Sequence, residues 1–191
     1  IQSLLELKKL GYLKNKNSIV DFGSQEIHLK LADFENILER AGIQNKVSDI
    51  IKKEWNWPSY PRVSTQEFYK ILDINEYNSI DLNQENNSIP LDYNEPLKDK
   101  ALFNNFDIVT DFGAIEHAFN VAEGYRSMHK LCKVEGLIII DQCLNHGNGY
   151  YLYNTRFFEG IAVANNYKII YKSYLLTLPT KTKNGTNYQF H

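Results

Sequence analysis

The chain of 191 residues has a formal net charge of −2 at pH 7, and 43% of its residues are hydrophobic, which fits one globular domain with a sizeable core. Nothing in this balance favours a nucleic-acid partner, which would need clustered Lys and Arg, and the longest aliphatic run, Leu137 to Ile140, is too short to cross a membrane. Two cysteines cannot build a disulfide framework, so the simplest expectation is a cytoplasmic protein.

The spacing of apolar residues predicts helices and strands in alternation. The run from 136 to 141 is continuously apolar, which is typical of a strand buried on both faces. In chain order, helices are predicted at 2–10, 29–40, 45–54, 64–72, 116–132 and 154–165, and strands at 18–22, 77–83, 88–94, 106–113, 136–141 and 167–178.

This alternation predicts a mostly parallel sheet with helices on both faces. Ligands of such sheets bind outside the carboxyl ends of the strands. Each of five successive strand ends carries an acid or a glycine-rich turn: Asp21 with Gly23, Asp81, Asp92, 111–116 and 141–149. We therefore expect a ligand site along this edge.

Five segments resemble, in the same order, the class I S-adenosylmethionine-dependent methyltransferases. They span residues 18–142 and read IVDFGSQ, SIDLN, IPLDYNEPL, FDIVTDFGAIEH and HKLCKVEGLIIIDQ. The resemblance implies a doubly wound, Rossmann-like sheet in a single domain over 1–191. It also implies methyl transfer from S-adenosylmethionine to a small-molecule acceptor, such as a sugar, a surface-glycan precursor or another metabolite.

The resemblance also assigns roles around the cofactor. Asp21 lies near the amino-acid end, Asp81 accepts the ribose hydroxyls, and Asp92 contacts the adenine amino group. Glycine at position 23 allows a close backbone approach. The full set of cofactor candidates is Asp21, Gly23, Ser24, Gln25, Asp81, Leu82, Asp92, Tyr93, Asp111, Phe112 and Gly113. Each acid also fits a loop Asp that caps a turn, and for Asp107 this structural role is preferred.

The glycine turn keeps two alternative functions open. It reads Asp-Phe-Gly-Ser-Gln from Asp21, which lacks later glycines of the family pattern. A non-catalytic binding or scaffold protein with this fold is one alternative. An NAD(P)-dependent oxidoreductase is the other, although the missing glycines of the dinucleotide fingerprint count against it.

An insertion is predicted after the first strand, at about residues 30–63. A dinucleotide fold places its ribose acid about 20 residues after the glycine turn, whereas Gly23 and Asp81 are 58 positions apart (81 − 23). The aromatic tip of this segment, EWNWPSYPR, fits a substrate lid and an extra packing layer equally well.

Three residues are candidates for a base that assists the acceptor: His146, His117 and Glu116. His146 lies in a glycine-rich loop after the fifth strand, where acceptors meet the cofactor in this fold. His117 is expected to open the helix from 116, whose N-terminus would favour the neutral imidazole. No His, Cys and Asp grouping has the spacing of metal ligands, so no metal is expected.

Overall fold

The computed structural model describes most of the chain: residues 1–25, 27, 29, 31–43, 61–84, 88–144, 147–174, 177–182 and 185–190. Its contacts form two compact units, residues 1–155 and 156–191. The single domain over 1–191 stays a prediction. No helix in the described ranges is long and apolar enough to cross a membrane.

The first unit contains the predicted alternation of helices and strands. In chain order its elements are α1 (Gln2–Lys9), β1 (Ser18–Phe22), α2 (Leu31–Arg40), α3 (Pro61–Ile71), β2 (Glu76–Ile80), β3 (Phe106–Phe112), α4 (Val121–Leu131) and β4 (Cys132–Asp141). Helix α5 (Thr155–Ala164) follows. The second unit also holds an antiparallel hairpin of β5 (Thr177–Thr182) and β6 (Gly185–Phe190).

Strands β1 to β4 form one parallel sheet in the order β2-β1-β3-β4. The chain moves outward from β1 to β2 and then returns to the other side of β1 for β3. This change of direction lies between β1 and β3, and it confirms the predicted doubly wound sheet. In such a sheet the reversal opens a crevice at the carboxyl ends of the strands.

Helices cover both faces of the sheet because residues along each strand alternate in direction. On one face the Tyr69 hydroxyl of α3 donates to the Asp21 carboxylate of β1, 2.8 Å away. On the other face Met128 of α4 packs in one buried cluster with Phe22 and Val109. The two connections thus lie on opposite faces, as right-handed crossovers require.

Part of the predicted insertion is a packing layer. Helix α2 buries Phe34 and Leu38 completely. The Phe34 ring meets Phe68 of α3 edge to face, with ring centroids 5.8 Å apart. The predicted helix at 45–54 and most of the aromatic tip lie outside the described residues, so the choice between lid and layer for the tip stays open.

Four predicted elements differ from the structure. Residues 88–94 form no strand, and Ile89 makes an isolated parallel bridge to Ile80. Strand β4 begins at Cys132 and is an edge of the described sheet, so most of its residues are half-buried rather than buried on both faces. Residues 167–174 form no strand. The predicted helix at 116–132 starts only at Val121, after a 3₁₀ turn at Ile115–His117.

Candidate functional site

A cleft of about 470 Å³ lies at the carboxyl ends of β1, β2 and β3. It occupies the place where the strand order reverses, which is the binding position in doubly wound sheets. Its described lining consists of Gly23, Ser24, Gln25, Asp81, Leu82, Leu91, Asp92, Tyr93, Asn94, Phe112, Gly113, Ala114, His117 and Ala118. Ten of the predicted site residues are therefore brought together here.

The turn after β1 depends on its one glycine. Gly23 has φ +76°, a left-handed conformation that strains other residues. A Cβ at this position would lie 3.0 Å from the Cβ of Ala114 and 3.2 Å from Nε2 of Gln25. The absent side chain therefore leaves the backbone of this turn open to the cleft.

Asp81 follows β2 and faces the turn across the cleft. Its Oδ2 accepts a bond from the Ser24 amide at 3.3 Å, and its Oδ1 accepts one from the Asn83 amide at 3.2 Å. An ionised carboxylate has about four acceptor positions, so Asp81 keeps capacity for further donors. Leu82, next in the chain, has an exposed side chain at the cleft edge.

Tyr93 lines the cleft and links two of the segments that form it. Its hydroxyl donates to the Ile80 carbonyl and accepts from the Gly23 amide, both at 2.6 Å. Its ring lies 5.2 Å from that of Phe22, and burial raises the pKa of the phenol. The sequence predicted a cofactor-binding residue here. The structure adds a second role, because this hydroxyl joins β2 to the glycine turn.

One carboxylate oxygen of Asp92 accepts hydrogen bonds within its own turn. Its Oδ1 accepts from the Asn94 amide at 2.9 Å and from the Asn94 side chain at 2.8 Å. The carboxylate still borders the cleft. The capping role and the adenine contact are therefore compatible at this residue.

The structure does not bring Asp21 to the cleft. Its side chain is fully buried on the α3 face of the sheet, where it accepts bonds from the Tyr69 and Thr110 hydroxyls. It does not border the cleft. Adjacent residues of a strand point to opposite faces, and the acid before Phe22 takes the face away from α4.

Asp111 is also absent from the described lining of the cleft. Its Oδ1 accepts from the Ala114 amide at 2.8 Å and the Ile115 amide at 3.1 Å, and its Oδ2 accepts from Gln142 at 2.6 Å. Burial raises the pKa of Asp111, and the charge of Glu116 adds to this increase. Asp111 therefore fixes the backbone of the segment after β3, where Phe112 and Gly113 line the cleft.

The three predicted bases occupy different positions. His117 lines the cleft with a half-exposed side chain, whereas Glu116 is buried behind it, and their Nε2 and Oε1 atoms are 3.7 Å apart. His117 lies in the 3₁₀ turn, so the predicted effect of a helix N-terminus does not apply. His146 lies outside the described residues.

Sequence reasoning missed four residues of the lining: Leu91, Asn94, Ala114 and Ala118. Three of them are apolar and carry no chemical signal. Position 94 follows Asp92 and Tyr93 directly, and that adjacency is the one signal that could have found it.

The cleft is acidic. Its described lining contains the carboxylates of Asp81 and Asp92 but no Lys or Arg. Polyphosphate ligands bind through clustered cations or through several free backbone amides. Here the Gly23 amide donates to protein acceptors and the Ser24 amide to Asp81. An uncharged or cationic ligand therefore suits this lining better than a polyanion. Within the described ranges, no three His, Cys, Asp or Glu side chains group as metal ligands.

No protein-family model matches the chain, and no curated protein matches it significantly. Among solved structures, it is similar to the trans-methyltransferase CalH in complex with SAH, at 9% identity and a TM-score of 0.40, over 78% of this chain and 37% of that one. It is also similar to the YcgJ protein from Bacillus subtilis, at 11% identity and a TM-score of 0.47, over 96% of this chain and 76% of that one. The chain thus spans little more than a third of CalH. At these identities and TM-scores neither similarity supports an inference about function. The fold class follows from the sheet itself.

Proposed function

We propose that this protein binds S-adenosylmethionine in the cleft and transfers its methyl group to a small-molecule acceptor. The observation that supports this most is the pairing of an open glycine turn at Gly23 with the Asp81 carboxylate, in a lining without Lys or Arg among the described residues. The sequence resemblance assigns the same residues to the cofactor.

The residues fit the chemistry of this ligand. S-adenosylmethionine supplies a methyl group on a positively charged sulfur, and it carries no phosphate. The acidic lining favours the sulfonium cation. Asp81 offers acceptors for the ribose hydroxyls, and Tyr93 offers a ring next to Asp92 for the adenine. Phe112 and Gly113 line the same cleft, and we assign them to the methyl-donor side.

His117 is the described candidate for a base that takes a proton from the acceptor. A base needs to reach the acceptor and to have a pKa near the working pH, and this imidazole opens onto the cleft with Glu116 behind it. His146 keeps its proposed role on the acceptor side. The walls of the cleft would exclude water and align the acceptor.

A phosphate-bearing dinucleotide is the less favoured ligand. NAD(P) would bring its pyrophosphate next to Asp81 and Asp92 with no Lys or Arg in the described lining to neutralise it. The degenerate glycine turn leaves a non-catalytic protein of this fold as the other alternative. Binding alone would not distinguish it, but turnover would.

Two titrations by calorimetry test the proposal, with S-adenosylhomocysteine in one and NADP⁺ in the other. We expect S-adenosylhomocysteine to bind and NADP⁺ to bind at least tenfold more weakly. Incubation with methyl-labelled S-adenosylmethionine and a set of small acceptors then tests turnover. A reversed preference would contradict the proposal, and binding without any turnover would favour the non-catalytic alternative.

A further inference from the structure

Asn94 lines the cleft, and its side chain is hydrogen-bonded at both ends. Its Nδ2 donates to Oδ1 of Asp92 at 2.8 Å, and its Oδ1 accepts from the Asn120 amide at 2.9 Å. These partners determine the orientation of the side-chain amide, because an ionised carboxylate only accepts and a backbone N–H only donates. Asn94 therefore presents a donor to Asp92 and an acceptor to the segment that leads into α4.

Two further bonds involve the backbone of Asn94. Its amide donates to the same Oδ1 of Asp92 at 2.9 Å, and its carbonyl accepts from Nδ2 of Asn120 at 3.2 Å. Asn120 directly precedes α4, which buries Met128 and Leu131 in the core. Both asparagines are exposed, but the segment to which they are bonded is fixed by the packing of this helix.

These bonds leave one oxygen of Asp92 for a ligand. Its Oδ1 accepts both donors of Asn94, whereas its Oδ2 accepts none within the part of the chain that the structure describes. Asp92 is half-buried and lines the cleft. Two donors on one oxygen restrict the rotation of the carboxylate, so Oδ2 is the acceptor left for a donor in the cleft.

The segment 92–94 is also fixed through Tyr93. The Tyr93 hydroxyl bonds the Ile80 carbonyl and the Gly23 amide, both at 2.6 Å. The segment is thus joined to the sheet at one residue and to the start of α4 at the next. A carboxylate on such a segment cannot easily turn away from an unsuitable ligand group, and a fixed acceptor discriminates more strongly than a mobile one.

From these contacts we infer that Asn94 is a positioning residue that sets the base specificity of the cleft. It holds the Asp92 carboxylate as an acceptor for the amino group of a 6-aminopurine, and Asn120 holds Asn94. The inference rests on the proposed function, which assigns Asp92 to the adenine. A 6-oxopurine in the same place would set its carbonyl oxygen against the carboxylate, and two acceptors without a proton between them repel each other.

Calorimetry with S-adenosylhomocysteine and S-inosylhomocysteine tests this specificity. The two ligands differ only in the base, where a carbonyl oxygen of the inosyl ligand replaces the amino group of the adenosyl ligand. We expect the unmodified protein to bind the adenosyl ligand about tenfold or more tightly than the inosyl ligand. Equal binding, or a preference for the inosyl ligand, overturns the inference.

Asp92→Asn tests the role of Asn94 directly. The two donors of Asn94 should bind the oxygen of the introduced amide, which leaves its NH₂ group for the ligand. We expect this variant to prefer the inosyl ligand, by about threefold or more. Adding Asn94→Ala leaves only the backbone donor of position 94, so the inverted preference should shrink about twofold or more. A double variant that keeps the full inverted preference would contradict positioning by Asn94.

Two single variants separate the two ends of the Asn94 side chain. Asn94→Ala removes both side-chain bonds, whereas Asn94→Asp keeps an acceptor for the Asn120 amide and removes only the donor to Asp92. Both should lower the adenosyl preference about threefold or more. An unchanged preference in Asn94→Asp would refute the orientation of Asp92 by this donor.

Asn75→Asp is the matched control for these variants. The Asn75 Nδ2 donates to Oδ1 of Asn17 at 3.0 Å, and Asn75 is absent from the described lining of the cleft. The substitution adds the same charge and removes the same kind of donor. We expect it to leave the ratio of the two affinities unchanged. An equal loss of preference in Asn75→Asp and Asn94→Asp would show that the bond to Asp92 is not responsible.

The outcomes separate the two proposals. No binding of S-adenosylhomocysteine by the unmodified protein would contradict the proposed function. Binding with an adenosyl preference that no variant at position 94 changes would contradict the inference alone. A general loss of structure weakens both ligands alike, so the ratio of their affinities reports the base contact. If Asp92→Asn fails to fold, the variants at the exposed position 94 still decide the question.

Discussion

Asp21 is a fully buried acid, and no Lys or Arg of the described residues forms an ion pair with it. Burial raises its pKa to about 7, although hydrogen bonds from Thr110, Tyr69 and Tyr77 oppose the increase. Its ordinary pKa in an unfolded chain is about 3.9. The folded state thus binds a proton more readily than the unfolded state between these values, and the free energy of unfolding falls as the pH rises through this window.

We expect Asp21→Asn to remove most of this pH dependence. Each pKa unit corresponds to about 1.4 kcal/mol, so the free energy of unfolding of the unmodified protein should fall by about 1–4 kcal/mol relative to the variant between pH 4 and pH 8. Urea unfolding of both proteins at the two pH values measures this. Parallel curves with a constant difference would mean that Asp21 does not titrate in this range.

Gly23 has a positive φ, and a side chain at this position would also meet close neighbours. Substitution of a second glycine separates these two effects. Gly11 has φ +83°, but a Cβ there would meet nothing within 4 Å. Both Gly23→Ala and Gly11→Ala should lose about 1–2 kcal/mol of stability from backbone strain. Only Gly23→Ala should also weaken binding of S-adenosylhomocysteine, by about tenfold. Equal affinity in both variants, measured by calorimetry, would show that the turn does not approach the ligand.

At the scale of elements, Asp107 joins the starts of three strands. Its Oδ2 accepts from the Asn17 and Ser18 amides, both at 3.0 Å, and its Oδ1 lies 3.0 Å from Nζ of Lys133 in β4. Burial opposes ionisation of this acid. The bonds from Asn17, Lys133 and Ser18 outweigh burial and hold the pKa of Asp107 well below its usual range. The predicted structural role of Asp107 is confirmed.

Asp107→Ala should therefore lower the free energy of unfolding by about 2–4 kcal/mol at pH 7, because several charge-assisted bonds are lost. A depressed pKa stabilises the folded state above the unfolded pKa and loses this effect as the pH falls. The difference between the two proteins should thus be smaller at pH 3 than at pH 7, as urea unfolding can show. A difference that grows on acidification would refute this explanation.

The predicted elements depended on local pattern, and they failed where tertiary context decides. The alternation that predicted β1, β2 and β3 is visible in the apolar runs themselves. The start of α4 was placed too early because Glu116 and His117 continue the helical spacing, while the Asp111 carboxylate binds the Ala114 and Ile115 amides and bends this segment into a 3₁₀ turn. That contact is invisible before the fold is known.

For the whole molecule, the parallel sheet and the edge that carries the cleft could be predicted from the order of the elements. Which strand-end acids face the cleft could not. Asp21 and Asp81 both end strands in the sequence, yet one points beneath the sheet and the other into the cleft. The direction depends on the pleat and on the helix packed against each strand. Equally, the buried position of Glu116 requires the loop at Gly149, which is distant in sequence.

We propose that Asp81 and the glycine turn hold S-adenosylmethionine, and a comparison of two variants tests this most directly. Asp81→Ala removes charge-assisted bonds to the ribose, each worth about 1.5–3 kcal/mol. Asp99→Ala is the matched control, because Asp99 accepts one backbone amide bond, from Ala101 at 2.9 Å, and is absent from the cleft lining. Titration of both folded variants with S-adenosylhomocysteine should show affinity at least tenfold weaker for Asp81→Ala and unchanged for Asp99→Ala. Unchanged affinity in folded Asp81→Ala would contradict the account.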